Sequence, residues 1–139
     1  MKRALSFLAF GIIMLGVWVA WEFHPWMPAG QAVRLSVTRI GSIDLQVWQR
    51  KNSSSTEPFG TGLFAREGNQ KWRVFFLGFE DLYRPRISLR SEGTEIAVYE
   101  GSQKLGTLDP KLEFFKRGGD GALLPPTVID GNPPANWWK

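Results

Sequence analysis

Histidine and cysteine, the side chains most often used for nucleophilic and metal chemistry, are nearly absent from this sequence. His24 is the only histidine, and no cysteine occurs among the 139 residues. His24 lies at the predicted membrane edge, which excludes a histidine-based catalytic triad, and composition excludes a zinc site built from several imidazoles or thiolates. We expect no metal and no cofactor.

Carboxylates are the remaining side chains that could support acid–base catalysis. Glu80 and Asp81 are the most concentrated pair, in a turn just before Tyr83. Adjacent carboxylates more often cap or solvate a turn than catalyse, because a working pair must converge on one substrate atom. We therefore predict a protein that is not an enzyme, with an exported hydrolase using a carboxylate pair as the alternative.

A glycine motif resembles a nucleotide-binding loop only in its spacing. Gly60, Gly62 and Ala65 have the spacing of a dinucleotide-binding fingerprint. That fingerprint needs a strand before it and a helix N-terminus after it, whereas here a serine-rich loop precedes and a strand-like segment follows. Turn glycines explain the motif better, and no dinucleotide cofactor is expected.

Three arginines alternate along one predicted strand face. Arg84, Arg86 and Arg90 are candidates for a strip that binds an anionic partner, such as a lipid headgroup, a phosphate or an acidic protein. The alternative is a solvated face with internal pairing, in which Glu95 neutralises Arg90.

Tryptophans lie near both ends of the chain, where amphipathic rings favour a membrane interface or a partner's groove. The candidate anchors are Trp18, Trp21, Trp26, Trp137 and Trp138.

The first apolar segment is the strongest organisational signal. Residues 4–21 form an uncharged run of 18 residues, which as a helix spans about 27 Å, close to the thickness of a bilayer core. Cleavage after Ala20 would place Trp18 at a position that favours small residues, so we predict a retained anchor. The alternative is a cleaved, soluble exported binding protein.

Charge fixes the expected orientation of that anchor. Lys2 and Arg3 precede the segment, which predicts a cytoplasmic N-terminus and a periplasmic or extracellular domain. All 13 acidic residues follow the segment, together with 15 of the 17 basic ones, which leaves +2 of the total +4. Because the positive and negative charges of the domain nearly cancel, there is little electrostatic reason to expect that it binds nucleic acid.

Beyond the linker, apolar residues alternate with period two between glycine-bearing turns, which indicates antiparallel hairpins. The expected registers place Leu35 opposite Val47 and Val37 opposite Leu45, with Arg34 opposite Trp48. Further along the chain, the expected opposing pairs are Phe64 with Val74, Leu89 with Ile96, Arg90 with Glu95, Ile96 with Leu108 and Glu100 with Lys104. Residues 72–79, apolar on both faces, are expected in the middle of the core.

The predicted fold class is all-β, with a single transmembrane helix followed by a small antiparallel β-sandwich or barrel of about eight strands. The expected organisation is a cytoplasmic stub and signal-anchor helix over 1–24, a linker over 25–32, an antiparallel β domain over 33–116 and a Gly/Pro-rich extended tail over 117–139.

By exclusion and topology, we expect a membrane-anchored extracytoplasmic binding or scaffolding domain, an accessory component of a cell-envelope assembly. Its expected partners are the lipid bilayer, through residues 4–21, and other envelope proteins.

The difference in charge between the two flanks of residues 4–21 predicts what happens when these charges are reversed. Replacing Lys2 and Arg3 by glutamate and inserting two lysines after Trp26 should disturb the orientation, because positive flanks are retained on the cytoplasmic side. Protease accessibility of the β domain in intact cells measures this. Unchanged accessibility would contradict the assigned topology.

Overall fold

The computed structural model describes residues 11–18, 30–53, 56–80 and 84–134. Residues 11–18 are helical, and the rest of the described chain is built from ten strands. The strands are β1 (Ala32–Ile40), β2 (Ile43–Lys51), β3 (Phe59–Glu67), β4 (Trp72–Glu80), β5 (Ile87–Glu92), β6 (Glu95–Glu100), β7 (Gln103–Leu108), β8 (Phe115–Arg117), β9 (Leu123–Leu124) and β10 (Thr127–Ile129).

These strands form two antiparallel sheets of five strands each. The first sheet has the order β1-β2-β3-β4-β10, and the second has the order β5-β6-β7-β8-β9. The all-β prediction is confirmed, and the two open sheets correspond to the sandwich-like alternative. Strand order follows chain order except at β10, because consecutive hairpins pair with their neighbours.

The main core lies between the two sheets, where the inward residues of alternating strands meet. Leu45 and Val47 of β2 and Leu63 of β3 are fully buried there. Burying each such side chain stabilises the fold by about 1.5–3 kcal/mol. The buried members of this core are Ile43, Leu45, Val47, Leu63, Ala65, Phe75, Ile87, Ile96, Val98, Leu108, Leu112 and Phe115.

A smaller apolar cluster covers the outer face of the first sheet. Phe64, Trp72, Val74 and Ile129 are buried in it, and Trp48 packs against them. Strand β3 is therefore buried on both faces along most of its length.

Strand β4 is only partly interior. Trp72, Val74 and Phe75 are buried, as expected for a central strand. Phe76 and Phe79 are 45% and 54% exposed, so the prediction that all of 72–79 lies within the core is wrong for these two rings. The outer cluster stops short of them.

The last described segment carries strands that the sequence did not predict. Residues 117–139 read as an extended tail, yet β9 pairs with β8 and β10 pairs with β4. The chain thus leaves the second sheet and returns to the edge of the first, across Pro125 and Pro126. Strands of two and three residues beside prolines carry too little periodicity to be recognised in sequence.

The observed strand registers agree in part with those predicted from the sequence. Phe64 opposite Val74, Ile96 opposite Leu108 and Arg34 opposite Trp48 are confirmed. A two-residue turn and a bulge between Arg34 and Ser36 shift the rest of β1.

The shift in β1 corrects the predicted first hairpin. Thr38 rather than Val37 lies opposite Leu45, and Ser36 rather than Leu35 lies opposite Val47. Val37 therefore points outward and is 56% exposed.

Two later registers were also predicted incorrectly. The turn between β5 and β6 places Leu89 opposite Val98 rather than Ile96, and Arg90 opposite Ala97 rather than Glu95. A shift of two residues preserves which side chains share a face. In the next hairpin, Glu100 lies opposite Gln103 rather than Lys104, because a bulge separates Val98 from Tyr99.

The predicted transmembrane helix over 4–21 is not supported by the structure. Of this segment the structure describes residues 11–18, which are helical over about 12 Å, and residues 4–10 and 19–21 lie outside the described chain. Within the described residues, no helix has the length and apolar character needed to cross a membrane.

The close approach of β7 and β8 predicts the effect of adding one methyl group. A Cβ at Gly106 would lie 2.5 Å from Cζ of Phe115 and would clash with the Lys116 carbonyl oxygen. Gly106→Ala should therefore lower the free energy of unfolding by about 2–3 kcal/mol, measured by denaturant titration. The matched control is Gly119→Ala, where the added Cβ meets nothing within 4 Å. Equal stability of the two variants would contradict the packing.

Candidate functional site

An aromatic trough runs along the outer face of the first sheet. We define it by Arg50, Asn52, Gly60, Phe76, Phe79 and Pro125, which line a cavity of about 270 Å³. Its floor and walls come from three neighbouring strands and from the segment that leads into β10.

Two glycines of β3 form the floor of the aromatic trough. Alternation in β3 turns Thr61 and Leu63 into the core and leaves Gly60 and Gly62 on the outer face. Both glycines are buried, and neighbouring side chains lie over Gly60: a Cβ there would be 3.5 Å from Cε2 of Phe76 and 3.6 Å from Nδ2 of Asn52. Because these glycines lie within β3, they do not form the loop and helix start that a dinucleotide needs.

A bulge in β4 aligns the two aromatic walls. Gly62 lies opposite Phe76 and Gly60 lies opposite Phe79, with the register shift between them. Residues three apart on a regular strand face opposite sides, so the extra residue is what places both rings on the outer face. Their centroids are 4.9 Å apart at an interplanar angle of 68°, an edge-to-face contact.

Trp48 and Arg34 continue this surface toward the edge of the sheet. The indole Nε1 of Trp48 donates a hydrogen bond to Oε1 of Gln46 at 2.9 Å, which fixes the ring. The guanidinium of Arg34 lies 5.9 Å from the Trp48 ring centroid. The outer face therefore combines aromatic area with positive charge.

A second cavity, the arginine groove, lies where β1 and β5 meet. It is lined by Arg34, Leu35, Arg84, Pro85, Arg86 and Ile87 and has a volume of about 440 Å³. The edge strand of one sheet and the segment leading into the edge strand of the other build it together.

Arg84 holds an unusual backbone conformation in this groove. Its φ is +52°, although a residue before proline favours an extended backbone with negative φ. Its amide N–H donates to Oε1 of Gln49 at 2.9 Å, and Gln49 is fully buried. A positive φ at a non-glycine residue costs about 1–3 kcal/mol, which the surrounding contacts must offset.

The structure divides the predicted arginine strip. Arg84 and Arg86 join Arg34 in the arginine groove, a residue that the sequence did not group with them. Arg90 lies on the outer face of the second sheet, where its guanidinium is 4.9 Å from the Tyr99 ring centroid.

The neighbours of Arg90 form an ionic network of their own. The Tyr99 hydroxyl and the Lys104 ammonium both donate to the carboxylate of Glu92. These two hydrogen bonds, that of Lys104 first, lower the pKa of Glu92. The predicted pairing of Arg90 with Glu95 is replaced, because the corrected register sets Glu95 opposite Glu92.

The predicted tryptophan anchors lie almost entirely outside the described chain. Trp18 is on the 11–18 helix and is 60% exposed. The other four, Trp21, Trp26, Trp137 and Trp138, fall outside the described residues.

Glu80 is a half-buried carboxylate near one end of the core. Burial first, and the nearby Glu100 second, raise the pKa of Glu80 to about 7, whereas the neighbouring Thr61 hydroxyl opposes the shift. A group with this pKa can act as an acid near neutral pH. Neither Glu80 nor Glu100 lines the aromatic trough or the arginine groove.

The predicted partner of Glu80, Asp81, lies outside the described residues. Among the residues that are described, no group of three or more His, Cys, Asp or Glu could hold a metal ion.

The raised pKa of Glu80 predicts a pH-dependent stability. The folded protein keeps this proton between about pH 4.5 and 7, where the unfolded chain has released it. Stability should therefore be full below that window and decline as pH rises through it, by about 1–2 kcal/mol after allowance for partial solvation. Glu80→Gln should flatten this decline in unfolding titrations from pH 5 to 8. The control is the exposed Glu113→Gln, and a decline unchanged by Glu80→Gln would contradict the assignment.

Comparison with known proteins found no matching family model, no similar curated protein and no similar solved structure.

Proposed function

We propose that this protein is a membrane-anchored, extracytoplasmic binding domain that docks a segment of another envelope protein in the aromatic trough. The observation that carries this proposal is the pair of exposed rings, Phe76 and Phe79, beside a floor made by Gly60 and Gly62. The domain acts by noncovalent recognition and performs no reaction.

The composition of the aromatic trough supports recognition over a purely structural role. Glycine inside a strand weakens it and often marks a site where another backbone approaches closely. Exposed aromatic rings lose the stabilisation that burial would give them. Each feature is unfavourable for the isolated domain, and both become favourable when a ligand covers the face.

The dimensions and charge of the aromatic trough define its partner. The cavity of about 270 Å³ has room for side chains of a partner segment. Strands β2 and β3 are paired on both sides, so a ligand lying over them binds through side chains rather than by adding a strand. Strand β4 is paired with β10 over residues 72–74 only. Arg50 and Asn52 on the rim favour a segment that carries an acidic side chain beside its apolar ones.

The apolar N-terminal segment supports the membrane location. The described turns of its helix expose Ile12, Ile13, Leu15 and Val17. A helix that exposes this many large apolar side chains is stable in an apolar environment, and the basic flank fixes its orientation. Both features belong to residues 1–21, so the anchor and the aromatic trough can be tested separately.

A carboxylate-dependent hydrolase is the second candidate function. The interaction of Glu80 with Glu100 and the pKa of about 7 favour it. The separation of these glutamates from the two cavities described here favours recognition instead.

Photocrosslinking from inside the aromatic trough tests the leading proposal. A benzophenone amino acid in place of Phe79, in the full-length protein in its native membranes, should yield an adduct with one envelope protein. Adding Gly60→Val, which fills the floor and suits a strand, should lower the adduct yield about tenfold or more. Mass spectrometry identifies the adduct, and the melting temperature verifies folding.

The matched control places the same crosslinker at Leu123, an exposed apolar residue of the second sheet. Equal crosslinking from Leu123 would contradict a specific docking surface. An adduct with a second copy of this chain or with lipid would also overturn the proposed partner.

A further inference from the structure

The arginine groove concentrates positive charge at a place that docking in the aromatic trough does not use. Arg34 comes from β1, and Arg84 and Arg86 precede β5, so the edges of both sheets bring three arginines to the lining of one cavity. They lie about 50 residues apart in sequence, and only the packing of the two sheets brings them together.

Five basic side chains elsewhere in the described part of the domain contact a carboxylate. Arg66 contacts Asp44, and Arg117 contacts Asp120. In contrast, no carboxylate of the described residues lies within 4 Å of the guanidinium nitrogens of Arg34 or Arg86. The positive charges of Arg34 and Arg86 at one cavity repel each other, and a bound anion would relieve that repulsion.

The backbone that carries these arginines is fixed from within the fold. The buried Gln49 accepts the amide N–H of Arg84 in its positive-φ conformation. One residue beyond Pro85, the Arg86 carbonyl accepts the amide N–H of Gly101 at 2.9 Å. Such a preorganised site binds an anion with less loss of conformational freedom.

The lining of the arginine groove indicates which anion fits. Guanidinium groups match the oxygens of phosphate in bidentate geometry, and three of them suit a group with several oxygens. Leu35, Pro85 and Ile87 add an apolar surface beside the charges. The ligand should therefore join a phosphate to an apolar body.

We propose that the arginine groove binds the phosphate of an anionic phospholipid headgroup. The choice of a lipid rests on the membrane anchoring in the proposed function. Strand β1 starts at Ala32, with ten residues between it and Trp21, so the connecting chain reaches at most about 35 Å. Arg34, the third residue of β1, therefore lies within reach of the headgroup layer.

Binding of short-chain lipids to the full-length protein in an uncharged detergent tests the proposal. Calorimetry should show that dihexanoyl phosphatidylglycerol binds at least about tenfold more tightly than dihexanoyl phosphatidylcholine, because choline adds a positive charge beside the arginines. The Arg34→Gln, Arg86→Gln double variant should lose at least about tenfold in affinity for phosphatidylglycerol.

The matched control is the Arg39→Gln, Arg90→Gln double variant, which removes the same charge from two exposed arginines outside the groove. Equal weakening in this control would overturn the site, since bulk charge would then explain binding. Inorganic phosphate is the third probe. Phosphate that binds as tightly as phosphatidylglycerol would overturn the lipid source and assign the arginine groove to soluble phosphate compounds.

This experiment separates failure of the arginine groove from failure of the proposed function. Short-chain lipids are presented without a bilayer, so binding does not depend on the anchor or on a protein partner. Loss of the crosslinks from Phe79 with intact lipid binding would remove the docking proposal alone. Intact crosslinks without preferential lipid binding would remove the groove proposal alone.

Discussion

Burial of β3 on both of its faces is the constraint on which the rest of the domain depends. Leu63 and Ala65 face the second sheet, and Phe64 faces the outer cluster with Trp72 and Val74. A strand covered on both sides fixes its neighbours, because any shift of β2 or β4 would expose apolar residues on one face or the other. The first sheet is therefore a rigid platform.

The aromatic trough is the part of that platform where the cover stops. The outer cluster extends as far as Val74 and Ile129. The next residues along the same face are Phe76 and Phe79, which lie opposite two glycines of β3. One part of the outer face of the first sheet is therefore covered by the outer cluster, whereas the part with Phe76 and Phe79 is exposed. A binding surface on paired strands is held more precisely than one on loops, because its side chains share the stability of the sheet.

The arginine groove depends on the other main contact, that between the two sheets. Its residues come from β1 and from the segment before β5, and Gln49 joins them from the interior of β2. A buried amide in an otherwise apolar sheet face is costly unless it is hydrogen-bonded. Here that amide holds the backbone of Arg84 in place, so packing and local charge are linked through one hydrogen bond.

In the strands without a bulge, the sequence by itself determined which side chains share a face. Alternation in β2 and β3 depends only on neighbours two residues apart, and the hairpin from β6 to β7 kept the predicted pairing of Ile96 with Leu108. Composition likewise excluded a zinc site built from several histidines or cysteines.

Only the tertiary structure decided the registers, the bulges and the sites. The bulge that turns Phe76 and Phe79 to one side, and the pairing of β10 with β4, follow from packing across the whole sheet. A register slip of two residues leaves the alternation unchanged, so local pattern cannot distinguish the two registers. Arg34 and Arg84 line the same cavity because the two sheets pack against each other. No pattern along the chain predicts which distant segments such packing brings together.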